Sequence, residues 1–130
     1  MMENEPTCEI DIFGTKRWYL NGGILHREDG PAIEYTGSTK IWKLNGVYHR
    51  KYGPAIEYTD GYKEWRYHHK RHRLDGPAVT WGDEHKEWWI RGHPITYQLV
   101  QWAKENDIDL ENLTEEDITI IKLVWADYGN

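Results

Sequence analysis

Four tryptophans lay out the period of this chain. Trp42, Trp65 and Trp88 stand 23 residues apart, and Trp18 precedes Trp42 by 24. Gly30-Pro31-Ala32, Gly53-Pro54-Ala55 and Gly76-Pro77-Ala78 keep the 23-residue step, as do His26-Arg27, His49-Arg50 and His72-Arg73, and also Tyr35, Tyr58 and Trp81. Lys40, Lys63 and Lys86 each sit two residues before a repeat tryptophan. Several features held in one register over several units signal a stacked architecture, in which each unit covers its apolar surface against its neighbours. The extra residue of the first unit falls in a turn, where Asn21-Gly22-Gly23 carries one more glycine than Asn45-Gly46. Upstream, Gly14-Thr15-Lys16-Arg17-Trp18 matches Gly61-Tyr62-Lys63-Glu64-Trp65, so Cys8 to Phe13 is expected to supply a degenerate first strand.

Within a unit the residues read as strands. Ala55-Ile56-Glu57-Tyr58-Thr59 and Tyr62-Lys63-Glu64-Trp65-Arg66-Tyr67 alternate β-branched or aromatic residues with polar ones. Asp60-Gly61 and Asn45-Gly46 are hairpin turn signals, because glycine accepts the positive φ such turns demand. Proline in Gly-Pro-Ala cannot donate to a ladder and marks a strand start or an edge. The expectation is an antiparallel β-meander of seven or eight short strands from about residue 8 to residue 92. In such a meander Tyr35, Trp42, Tyr58, Trp65, Trp81 and Trp88 are expected to share one face as a continuous cross-strand aromatic ladder.

After Pro94 the period changes. Ile95, Leu99 and Trp102 lie on one helical stripe, with Thr96 as the expected N-cap. Thr114-Glu115-Glu116-Asp117 reads as a capping box, and Ile118, Ile121 and Trp125 follow at helical spacing, although Ile120 and Leu123 blur the face. The fold class is therefore mainly β with C-terminal α: a repeat sheet over residues 1–93 and a cap of two short helices over 94–130, in one compact domain.

The charge is uneven. Residues 1–93 hold 14 Lys/Arg and 14 Asp/Glu, whereas residues 94–130 hold 2 and 8, so the whole net charge of -6 lies in the C-terminal part. A neutral body with an acidic end argues against nucleic acid as the partner, since that recognition runs on clustered cations. Cys8 is the only cysteine, which excludes an intrachain disulfide and a Cys-rich zinc site and suits a reducing compartment. Met1 to Pro6 is acidic and polar and lacks a signal pattern, and no apolar run reaches the ~20 residues of a membrane span. A cytoplasmic protein is expected, with no membrane association.

His26-Arg27-Glu28-Asp29-Gly30-Pro31-Ala32, preceded by a Trp-x-x-Asn-Gly motif, resembles the DGPA repeats of phage and giant-virus proteins. It is similar, more loosely, to MORN-like repeats, whose units are β-hairpins stacked into a twisted sheet. His72-Arg73-Leu74-Asp75-Gly76-Pro77-Ala78 keeps the pattern, and His49-Arg50-Lys51-Tyr52-Gly53-Pro54-Ala55 departs from it at Tyr52. The resemblance covers about two thirds of the chain. It implies a scaffold or interaction surface with no catalytic set, and a viral accessory protein acting on a host protein in the host cytoplasm.

Weighed residue by residue, the chemistry points the same way. Equivalent histidines in successive two-strand units lie about 9–10 Å apart, too far to share one ion whose ligands each sit about 2 Å from it. His26, Arg27, His49, Arg50, His72 and Arg73 are read as structural loop residues. His68, His69, His72 and His85 are the remaining local cluster, and no metal or cofactor is expected there. Recurring carboxylates such as Glu34, Glu57, Glu64 and Glu87 suit a sheet surface better than a unique catalytic cleft. The positions that break the repeat are the candidate contact sites: His68, His69, Lys70 and Arg71 in place of an Asn-Gly turn, and Glu111, Glu115 and Glu116 in the acidic cap. The reading is a non-enzymatic protein-interaction module that binds or inhibits a host protein. The alternatives are a ligand-binding or catalytic β-protein using the His/Arg-rich loops, and a virion accessory or scaffold protein. A homodimer through an open sheet edge is a further arrangement to test.

Overall fold

The structure, a computed structural model, describes residues 5–82 and 84–129. Met1–Asn4 of the acidic N-terminal stretch, Asp83 and Asn130 lie outside the described residues. The chain opens with β1 (Thr7–Ile10), β2 (Lys16–Leu20) and β3 (Ile24–Leu25). The next unit holds β4 (Ile33–Glu34), β5 (Lys40–Ile41), β6 (Lys43–Leu44) and β7 (Val47–Tyr48). Its successor holds β8 (Ile56–Glu57), β9 (Lys63–Glu64), β10 (Arg66–Tyr67) and β11 (Lys70–Arg71). The last holds β12 (Val79–Trp81), β13 (His85–Glu87), β14 (Trp89–Ile90) and β15 (His93–Pro94). Helices α1 (Thr96–Glu105) and α2 (Glu115–Trp125) follow.

Eight strands form an antiparallel path β1-β2-β4-β5-β8-β9-β12-β13, with β3 joined to β2. This is the expected meander, and β1 is the degenerate first strand. Each later unit adds a two-stranded hairpin off the path: β6-β7, β10-β11 and β14-β15. The tryptophan makes the corner between the two layers. Trp42 N–H donates to the Ala55 carbonyl of the next unit at 2.7 Å, and Trp65 N–H to that of Ala78 at 2.7 Å. The carbonyls of Trp42 and Trp65 then accept from His49 and His72 of their own units. The hairpins are also tied to one another. Arg27, Arg50 and Arg73 donate their amides to the carbonyls of Lys43, Arg66 and Trp89, each at 3.1 Å. Backbone bonds within each unit and to the next one thus hold these two-residue strands, which lets such short strands persist.

The register corrects the expected aromatic ladder. Ile33 pairs with Ile41, Ile56 with Glu64 and Val79 with Glu87. Side chains alternate along a strand, so Tyr35, Tyr58 and Trp81 share the face of Ile33, Ile56 and Val79, whereas Trp42, Trp65 and Trp88 point to the opposite face. The six rings therefore split into two sets. Tyr35, Tyr58 and Trp81 are exposed, and Trp42 and Trp65 are covered by arginines rather than by each other.

Along the repeats the buried apolar side chains are Ala32, Ile33, Ala55, Ile56, Ala78 and Val79. The larger core lies at the C-terminal end, where Trp88, Ile90, Ile95 and Leu99 pack together with Leu74, Trp102, Leu110 and Trp125 against them. Thr96 does not cap α1. The N-cap is Ile95, without a side-chain bond, and Thr96 Oγ1 instead accepts the Trp88 N–H at 2.9 Å. Thr96 stands 23 residues beyond Arg73, where another unit would continue. Its hydroxyl replaces the alanine carbonyl that the next unit would have offered and so closes the repeat. The capping box of α2 forms as read: Asp117 N–H donates to Thr114 Oγ1 at 3.0 Å, and Thr114 N–H to Asp117 Oδ2 at 3.1 Å. No helix among the described residues is long and apolar enough to cross a membrane.

Candidate functional site

Each repeat builds the same niche. The guanidinium of Arg27 lies 3.8 Å over the Trp18 ring, that of Arg50 3.8 Å over Trp42, and that of Arg73 4.0 Å over Trp65. Their Nη1 atoms donate to the carbonyls of Pro31, Pro54 and Pro77 at 3.2, 3.1 and 3.0 Å. A Cβ on Gly30, Gly53 or Gly76 would come within 2.7–2.8 Å of the arginine Cζ. The Gly-Pro-Ala motif therefore has a part for each residue. Glycine leaves room for the arginine, the proline carbonyl holds it, and alanine is buried while its carbonyl takes the tryptophan amide.

The repeat histidines are clips. Nδ1 of His26 accepts the Asn45 N–H at 2.8 Å, His49 that of His68 at 2.9 Å, and His72 that of Arg91 at 3.0 Å. Each donor is the first residue of the next hairpin's turn and has a left-handed φ of 48–49°. Burial first, and then the neighbouring His68, holds the His49 imidazole below its ordinary value. Burial and then Arg91 do the same to His72.

The repeat-breaking stretch divides. Arg71 is structural: its Nε donates to Glu64, and its guanidinium lies 4.8 Å over the Trp89 ring. Glu64 is 2% exposed and also takes the Arg66 Nε at 3.2 Å and the Tyr62 hydroxyl at 3.3 Å. One buried carboxylate thus gathers two arginines and a phenol on the sheet face opposite Trp42 and Trp65. His68 and His69 form the left-handed turn and are exposed, as is Lys70. His68 packs on His49 at 4.5 Å and on Tyr67 at 4.3 Å, while His69 stacks on Tyr48 at 6.1 Å. His85 faces Glu87 at 2.6 Å. Among the described residues no three His, Cys, Asp or Glu side chains converge to hold a metal ion.

The acidic candidates divide as well. Glu111 is ion-paired to Lys86 and pins the interhelical loop to β13. Glu115 and Glu116 are exposed in the first turn of α2, where acidic charge complements the helix dipole. The same helix carries a feature that periodicity only hinted at. Ile121 is buried, while Leu123 is 79% exposed, Val124 53% and Ile120 39%. Positions 120, 123 and 124 follow the i, i+3, i+4 rule and form an apolar stripe facing away from the core.

Three of the open grooves among the described residues each hold one repeat tryptophan. The first, about 440 Å³, contains Trp18, His26, Arg27, Glu28 and Asp29. The second, about 680 Å³, contains Trp42, Arg27, Arg50, Glu28 and Asp29. The third, about 580 Å³, contains Trp65, Arg50, Lys51, Arg73, Asp75 and Lys122. Comparison with known protein families, with curated proteins and with solved structures finds no match to this chain.

Proposed function

We propose that this chain is a protein-interaction module without catalytic activity, and that α2 presents its main contact surface. The observation that carries this reading is the Ile120, Leu123 and Val124 stripe, exposed on a helix whose other side is already docked through Ile121 and Trp125. Single exposed apolar residues are ordinary, but a contiguous helical stripe is what helix-in-groove recognition uses. Glu115, Glu116 and Asp117 at the helix start add a negative end to that surface. The repeat histidines and the backbone amides of the repeat arginines hold one repeat to the next, which supports a scaffold reading of the sheet. Following the resemblance to phage and giant-virus repeats, the partner proposed is a host protein, met in the host cytoplasm. A pull-down from bacterial lysate tests the reading, with the wild-type chain beside the Leu123→Glu/Val124→Glu double variant. A protein captured by the wild type and lost with the variant is the expected result. Capture that is equal for both would move the contact off α2.

A further inference from the structure

We propose that the groove between the second and third repeats is a docking site for an acidic, apolar-centred peptide segment of a protein partner. This rests on the interaction-module reading and adds a second contact surface of defined chemistry.

One residue beside this groove breaks the repeat. In the first and third repeats the arginine on the tryptophan also donates its Nε to an aspartate: Arg27 to Asp29 at 3.1 Å, and Arg73 to Asp75 at 2.8 Å. In the second repeat the aspartate position holds Tyr52. Arg50 is left with the Pro54 carbonyl and a looser approach to Glu57, at 3.6 Å. Burial pulls its guanidinium below the ordinary arginine value, as expected for a cation short of compensation. Tyr52 itself is 81% exposed at the rim.

The groove gathers what the missing aspartate leaves unbalanced. Arg50, Lys51, Arg73 and Lys122 line it against a single acid, Asp75, which is already paired with Arg73. The groove next to it is closer to balance, because Glu28 and Asp29 face Arg27, Arg50 and Lys51 there. Trp65 and Leu74 supply an apolar floor to the cationic trough. The third groove therefore matches carboxylates flanking one apolar or aromatic side chain, with electrostatics setting specificity and on-rate and the floor supplying area. A peptide fits better than a nucleotide. The cations are side chains drawn from two repeats and a helix along an open trough, and neither a glycine-rich loop nor a helix N-terminus lines it to cradle a phosphate.

The test titrates the full-length protein with the peptide acetyl-Glu-Glu-Tyr-Glu-Glu-amide, following the indole N–H signal of Trp65 by NMR at low salt. Adenosine monophosphate, inorganic phosphate and acetyl-Lys-Lys-Tyr-Lys-Lys-amide are run in parallel. The acidic peptide is expected to shift Trp65 with a Kd of about 0.1–1 mM, the range of a single short segment, while the basic peptide leaves it unmoved. Tyr52→Asp rebuilds the pattern of the other two repeats, so the fold persists while binding weakens by about tenfold or more. Lys122→Glu should weaken it similarly, and Lys104→Glu, the same charge change on α1 outside the groove, should not. No shift with the acidic peptide, equal affinity in Tyr52→Asp, or tighter binding of the nucleotide or phosphate would overturn the proposal. A lysate blank with the α2 stripe would leave this measurement untouched, and a peptide blank would leave the stripe standing.

Discussion

Nδ1 of His49 accepts the backbone N–H of His68 at 2.9 Å, and the two imidazoles lie 4.5 Å apart. A side chain of one repeat thereby holds the strained first turn residue of the next. The bond requires an unprotonated Nδ1, as do its counterparts at His26 and His72.

Acid should therefore loosen the repeat. His49 and His72 are both held below the ordinary histidine value of 6.5, chiefly by burial, with His68 facing the first and Arg91 the second. The unfolded chain then binds more protons than the folded one, so stability rises with pH. The histidine contribution is complete above pH 6.5 and is lost as the pH falls from there through the lower folded values. Losing each clip costs about 1 kcal/mol. Urea midpoints measured from pH 8 to pH 5 should fall below pH 6.5, and His49→Gln should flatten part of that fall. A midpoint as acid-sensitive in the variant as in the wild type would show that His49 is not among the titrating groups.

Gly76 carries no left-handed φ, so its role is space rather than conformation. Gly76→Ala should push Arg73 off the Trp65 ring and cost about 1–3 kcal/mol. In a double-mutant cycle with Arg73→Ala, the glycine substitution should cost much less once the guanidinium is gone. Additive losses would place the clash with the backbone instead.

The legible parts of this fold are those that a period makes local. The strand order, the Asp60-Gly61 turn and the Thr114–Asp117 capping box each depend on residues a few positions apart, and each was readable. The aromatic ladder failed because Trp42 and Trp65 follow the paired residue by one position, and a one-residue offset reverses the face. Thr96 misled because its hydroxyl answers the Trp88 amide, a need created by the missing next repeat. The Tyr52 departure was visible in the alignment of repeats. Its consequence was not, because nothing in the sequence says that the aspartate it replaces serves the arginine.

Glu64 tests whether the sheet's polar face is structural. At 2% exposure, and with Arg66 and Arg71 both donating to it, its charge cannot be removed without stranding two cations. Glu64→Gln is expected to cost about 2–3 kcal/mol, somewhat under the cost of breaking a fully buried pair because both arginines retain solvent contact. Chemical denaturation at pH 7 reads it. A loss below ~0.5 kcal/mol would place the pair with ordinary surface bridges.

His69 occupies the second position of its turn at φ 75°, where the equivalent residues in the neighbouring hairpins are Gly46 and Gly92, each at φ 80°. A side chain in the left-handed region costs about 1–2 kcal/mol, offset in part by the stacking of His69 on Tyr48. Glycine relieves the strain but frees more of the unfolded chain, so the net gain from His69→Gly should be about 0.5–1 kcal/mol. Strain of this kind persists in contact surfaces, because selection there acts on binding as well as on stability. The variant should therefore melt later while capturing less partner if the His68-His69 tip touches that partner, and capture just as much if α2 and the groove carry the contact alone. Thermal melts and pull-downs on the same variant separate the two.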